Sequence, residues 1–185
     1  MNPLTLLNLL PDLACVIICL FATRLDIKTR RIPNRLTIPA IVTGLLMSWA
    51  LATYRLGPLP GITEGLVPSL AGGAVSFTVF WVLALGKGMG MGDVKLMTAT
   101  GTFLRWPHAL YGLGFTLFAG AILGLIYALK TGSLGEVFAN MGNGIRRLGR
   151  KTAITKPPAL HYMPYGLAIL IGVSAAVIHR YWRFL

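Results

Sequence analysis

Stretches of about 20 mostly apolar residues, the length that crosses a bilayer's hydrocarbon core as a helix, recur near 6–25, 36–53, 66–86, 94–107, 109–129 and 163–181. No other feature restricts the fold so strongly. Backbone in hydrocarbon must bond to itself, and only helices and closed barrels achieve this. Apolar runs of this length specify helices, so the expectation is an all-α, polytopic membrane protein of about six transmembrane helices, a single domain over 1–185. Composition agrees: 55% of the 185 residues are hydrophobic, 12% are charged and the mean hydropathy is +0.71. A soluble domain would carry about a quarter charged residues. The fourth stretch is short, running from Val94 to the Trp106-Pro107 break, and calls for an irregular path, thinned lipid or an incomplete crossing.

Seventeen Lys+Arg oppose five Asp+Glu, a formal charge of +12. In a soluble protein that balance points to nucleic acid; here it is topogenic, and no nucleic-acid partner is expected. With the N-terminus outside, loops 24–35, 87–95 and 130–162 face the cytoplasm and hold 13 of the 17 basic residues, as the positive-inside rule requires. Anionic lipids are the partners this charge implies. The first basic residue is Arg24, so 6–25 reads as a retained span rather than a cleaved signal. In the last loop, Leu134, Val137, Phe138, Met141, Ile145 and Leu148 form one helix face beside Arg146, Arg147 and Arg150, the pattern of a cytoplasmic interfacial helix. Cys15 and Cys19 lie one turn apart in an apolar run and are placed to pack, without the CxxC spacing of a metal or redox site. No metal and no cofactor is expected.

An ionisable group in or beside a span is costly and therefore a functional candidate, and only five carboxylates exist. Glu64 falls in an expected outer loop, 54–65. Glu136 starts the interfacial helix, where an acid suits the helix dipole, and Asp12 is placed to cap the outer end of the first helix. Asp26 and Asp93 remain. Asp26 closes the first span and Asp93 opens the fourth; counting crossings returns both to the cytoplasmic face. Before Asp93, glycine occupies every second position from Gly86 to Gly92, a costly choice in a helix, so an extended or turned backbone is expected there. Two carboxylates in one pocket cannot both ionise, which leaves one as base and one as acid. Such a pair hydrolyses a peptide without metal: the base activates water and the acid polarises the carbonyl, then protonates the leaving amine.

Asp26 followed by Arg30-Arg31-Ile32-Pro33-Asn34, with Gly90-Met91-Gly92-Asp93-Val94-Lys95-Leu96 later, resembles the type IV prepilin peptidases, membrane aspartic proteases of the GxGD type. His161-Tyr162-Met163-Pro164-Tyr165-Gly166 resembles the family's Pro-aromatic-Gly-Pro segment, with Leu167 where Pro is usual. The resemblance implies that Asp26 and Asp93 are the catalytic pair, and that Gly88, Gly90, Gly92, Lys95, Pro164 and Gly166 serve substrate binding. It implies cleavage of a basic leader from a prepilin or pseudopilin with an apolar helix, at the cytoplasmic face of the inner membrane, for pilus biogenesis or secretion. Larger members also N-methylate the new terminus through a cysteine-bearing cytoplasmic region. This chain resembles the short form of tight-adherence (Flp-type) pili, so peptidase activity alone is expected; archaeal preflagellin peptidases are a close alternative.

Two readings of other classes compete. A small cation-coupled transporter or channel would bind its ion at Asp93 beside a broken helix, and a non-catalytic pilus-assembly scaffold would use neither carboxylate. His108, His161 and His179 are expected to be structural. Trp106, Tyr111, Tyr162, Tyr165, Tyr181 and Trp182, near span ends, are expected as interfacial anchors, and Lys95 either steadies an ionised dyad or snorkels to the headgroups.

Overall fold

The computed structural model describes residues 3–29, 31–85, 89–131 and 165–182. Among them the structure is helical: α1 Pro3–Thr29, α2 Asn34–Leu56, α3 Pro58–Gly61, a π turn Ile62–Leu66, α4 Val67–Leu85, α5 Met91–Leu104, α6 His108–Thr131 and α7 Tyr165–Tyr181. Three segments are long and apolar enough to cross a membrane, Asn34–Leu56, Pro58–Leu85 and His108–Lys130, and Tyr165–Tyr181 is a shorter apolar helix. The burial pattern is that of a membrane protein. Thr37, Ser48, Ser69, Ser76, Thr100, Thr102 and Thr116 are buried, while large apolar side chains such as Phe21, Trp81, Phe118 and Leu129 face outward. The interfacial helix expected over 134–150 lies outside the described residues.

Local chemistry sets the helix ends. Pro33 holds an extended conformation (φ −71°, ψ 143°) and starts α2, consistent with its fixed φ. Gly57, at φ 94°, supplies the left-handed corner between α2 and α3, a conformation that costs glycine little. The outer loop expected over 54–65 is not a loop. Gly61 abuts Thr53, and Gly65 abuts Ser48 and Ala52, so the missing side chains let α3 and the π turn pack as helix along α2. Glu64 consequently sits in the π turn.

The expected Asp12 cap is also corrected. Asp12 lies inside α1, fully buried. Arg180 Nη1 donates to both of its oxygens at 2.8 Å, and the Tyr181 hydroxyl donates to Oδ2 at 2.8 Å. The sequence could not show that α1 begins upstream of Pro11 and that α7 ends against it. Tyr181 is therefore buried rather than an interfacial anchor, whereas Trp182 is exposed. Asn8, one turn before Asp12, accepts from Arg55 Nη1 at 2.9 Å, so the C-termini of α2 and α7 meet the start of α1.

The centre is α5. Its 14 residues span about 21 Å, short of a hydrocarbon core of about 30 Å, and ten of the 14 are buried. Small residues make this possible. Gly44 of α2 and Gly73 of α4 lie against Thr102, and Gly72 meets the Gly101 backbone; Ser69 Oγ donates to the Thr102 carbonyl at 2.6 Å. This is the close helix approach that small side chains permit in membranes. Cys15 and Cys19 are buried free thiols that pack in the same core as Val94, Met97 and Ile169.

Two stability outcomes follow from this packing. A side chain at Gly101 would collide with the Gly72 carbonyl and Ser76, so Gly101→Val should abolish a monodisperse species in detergent, whereas Gly114→Ala, with open space around it, should behave as wild type. Asp12→Ala strands a paired arginine, a loss of about 3–5 kcal/mol for a broken buried pair, and should lower the thermal midpoint clearly in a detergent melting assay; an unchanged midpoint would count against the pairing.

Candidate active site

Both aspartates sit at the opposite end of the bundle from Asp12. Asp26 is three residues from the end of α1 and Asp93 is the third residue of α5. α1 enters this end as α5 and α7 leave it, so the chain returns both carboxyls to one place. Asp26 is fully buried and Asp93 is 3% exposed, and the two lie within electrostatic range of one another.

The Asp26 carboxylate accepts the Gly166 backbone N–H at Oδ2, 3.3 Å away. This N–H belongs to the first turn of α7, where amides lack helical partners. Asp93 accepts the Gly90 N–H at Oδ2, also at 3.3 Å, reaching back over the start of its own helix. Among the described residues its Oδ1 has no hydrogen-bond partner although it is buried. One oxygen of Asp93 is thus anchored and the other is available to a water or a second carboxyl.

The glycines before Asp93 have definite places. Gly90 is extended (φ −79°, ψ 147°) and precedes the helix. Gly92 is not extended, as expected from the sequence, but helical, and a side chain there would meet Ile32. It lets the segment after α1 lie against the start of α5. Gly88 and Pro164 lie outside the described residues. Lys95 Nζ donates to Asn34 Oδ1 at 2.8 Å in an exposed position, tying the start of α5 to the start of α2. Gly166 faces the Asp26 carboxylate itself: a side chain there would come 3.3 Å from Oδ2 and 3.4 Å from Thr23 Cα.

Sequence reasoning missed Thr23 and the place of Tyr165. Thr23 is buried one turn before Asp26, and its hydroxyl reaches the Gly166 carbonyl at 2.9 Å; the three-residue spacing on one helix face was the available signal. Tyr165 is half-buried and packs edge-on against Phe80, with ring centroids 6.0 Å apart, inside the bundle rather than as an interfacial anchor. Among the described residues no cluster of His, Cys, Asp or Glu could hold a metal ion.

Residues 13–129 match the type IV leader peptidase family, and this stretch contains both aspartates, all of α2, α4 and α5 and most of α1 and α6. The chain belongs to that family. Similar proteins include a "Prepilin leader peptidase/N-methyltransferase" of Aeromonas hydrophila, 32% identical over 106 residues, covering 56% of this chain and 34% of that protein. A protein of the same name from Klebsiella pneumoniae is 35% identical over 101 residues, 53% of this chain and 42% of its own length. One from Myxococcus xanthus is 26% identical over 135 residues, 69% of this chain and 37% of its own. The matched stretch thus spans between about a third and two fifths of these curated relatives. No solved structure matches the chain.

The juxtaposition of Asp26 and Asp93 can be tested without activity. With Cys15 and Cys19 changed to Ser, the double variant Asp26→Cys/Asp93→Cys should be joined by a short bifunctional maleimide within one chain, read as a mobility change after cleavage between the two sites. An Asp12→Cys/Asp93→Cys control, bridging opposite ends of the bundle, should remain unjoined.

Proposed function

We propose that this protein is an aspartic endopeptidase that removes the leader from prepilin or pseudopilin substrates, with Asp26 and Asp93 as the catalytic pair. The observation that carries the reading is the convergence of two buried carboxylates at one end of a helical bundle, one of them with an oxygen that has no partner among the described residues. Family membership and the names of the relatives support the peptidase reaction, and the proposal is confined to it.

Two carboxylates brought together in one site share a proton. The ionised one draws a proton from water, whose oxygen attacks the scissile carbonyl carbon; the protonated one hydrogen-bonds the carbonyl oxygen. Collapse breaks the C–N bond, and a proton passes to the leaving nitrogen. The products are a new carboxyl on the leader and a new amine on the mature protein. No covalent intermediate with the enzyme arises.

The orientation follows from charge. Arg24, Lys28, Arg31, Arg35, Lys95 and Lys130 belong to the end that holds Asp26 and Asp93, whereas Arg55, Arg105 and Arg180 belong to the other. The richer end is the cytoplasmic one under the positive-inside rule, and the arrangement we propose has six crossings, an outside N-terminus, residence in the inner membrane and contact with anionic lipids. The substrate then presents its leader from the cytoplasm and its apolar helix from the bilayer, and Gly90, Gly92, Lys95 and Gly166 border the place where the scissile bond enters. A cation transporter would need its carboxylates near the membrane midplane; here both stand at one end.

In a reconstituted assay with a prepilin-like substrate, Asp26→Asn and Asp93→Asn should each reduce cleavage by about three orders of magnitude or more, since each removes one partner of a two-group reaction. Both variants should keep the wild-type elution volume in detergent. Full cleavage by either variant would overturn the mechanism, and ion flux dependent on Asp93 without cleavage would favour transport.

A further inference from the structure

Thr23 stands outside every motif that identifies the chain, yet it is 4% exposed, lies one turn before Asp26 and places its hydroxyl between its own helix and α7. Thr23 Oγ reaches the Gly166 carbonyl oxygen at 2.9 Å and the Cys19 carbonyl oxygen at 2.8 Å. A hydroxyl has one proton, so the two carbonyls share it. The Cys19 contact is the usual back-bond of a helical threonine. The Gly166 contact crosses from α1 to α7, 143 residues apart in sequence.

We infer that Thr23 is a positioning residue that fixes the Asp26 carboxylate by holding the residue at 166 from its carbonyl side. Gly166 is gripped at both polar atoms: its carbonyl accepts from Thr23, and its N–H donates to Asp26 Oδ2 at 3.3 Å. Thr23, Gly166 and Asp26 thereby form a closed ring in which two side chains one turn apart on α1 hold one residue of α7. The ring depends on the absence of a side chain at 166, since a Cβ there would stand 3.4 Å from Thr23 Cα and 3.3 Å from the carboxylate. Freed from Thr23, the start of α7 can slide along α1, and the Gly166 N–H that donates to the Asp26 carboxylate slides with it. Carboxylate orientation matters because misplacing a catalytic group by about 1 Å costs up to about 100-fold in rate.

Thr23 also lines a groove of about 320 Å³ between α1 and α7, with Leu20, Arg24, Ile27, Lys28 and Leu170. A residue that served only as groove wall would alter substrate docking. One that positions Asp26 would alter the chemical step. The two roles separate in KM and kcat.

This inference rests on the Asp26–Asp93 reading above, and the experiment keeps their failures apart. Full-length wild type, Thr23→Val, Thr23→Ser, Thr23→Ala and Asp26→Asn are assayed with a prepilin-like substrate in lipid–detergent micelles, with rates normalised to folded enzyme. Val is expected to lower kcat by about 10- to 100-fold with KM within about twofold, and Ser, which keeps the hydroxyl, to stay within about threefold of wild type in kcat. If Val does not fold, the Ser–Ala pair, differing by one oxygen, carries the same comparison, with Ala impaired like Val. Wild-type kcat in both Val and Ala, a change confined to KM, or a Ser variant as poor as Ala would each overturn the positioning role. Full activity in Asp26→Asn would instead remove the dyad reading on which it rests.

Discussion

Burial of a polar, 14-residue helix among small side chains is the arrangement on which the rest of this structure depends. A segment of about 21 Å leaves its ends inside a bilayer whose core is about 30 Å, where unsatisfied backbone is costly. α5 escapes that cost by being enclosed. Gly44, Gly72 and Gly73 bring α2 and α4 close, and Ser69 satisfies the Thr102 carbonyl at its C-terminal end. Its N-terminal end is closed by Asp93 itself, which accepts the Gly90 N–H. The same residue that completes the helix start presents a carboxylate to the site, so enclosure of α5 and construction of the site are one problem solved together.

The two ends of the bundle treat buried charge differently. Asp12 is saturated, with a guanidinium on both oxygens and a phenol on one. At the other end Asp93 has one oxygen anchored to a backbone amide and one without a partner among the described residues, with the charge of a second carboxylate close by. Paired opposite charges make a strut. Like charges held together store a demand for a proton.

Much of this was legible in the sequence. Apolar runs gave the helices, and counting crossings brought Asp26 and Asp93 to one end, because chain direction alternates whatever the packing. What the sequence could not show depends on packing between distant segments. Asp12 reads locally as a cap after Pro11, and only the arrival of α7 turns it into half of an ion pair. Residues 54–65 read as an outer loop; small residues at 61 and 65 let them lie as helix against α2. Gly92 belongs to a run that disfavours helix, yet Asp93 caps the turn and Ile32 fills the space beside it. Thr23 gave no motif at all. Its meaning comes from a carbonyl 143 residues away.

The central claim is spatial: two carboxylates share one wettable pocket at the end of the bundle. An electron cryo-microscopy map of the protein in lipid nanodiscs, at a resolution that shows ordered water, measures it directly. The account predicts the Asp26 and Asp93 carboxyls on one side of the bilayer, bridged by a common water, with Gly166 N–H on the former and Gly90 N–H on the latter. Carboxyls on opposite leaflets, or parted by packed apolar side chains, would contradict it.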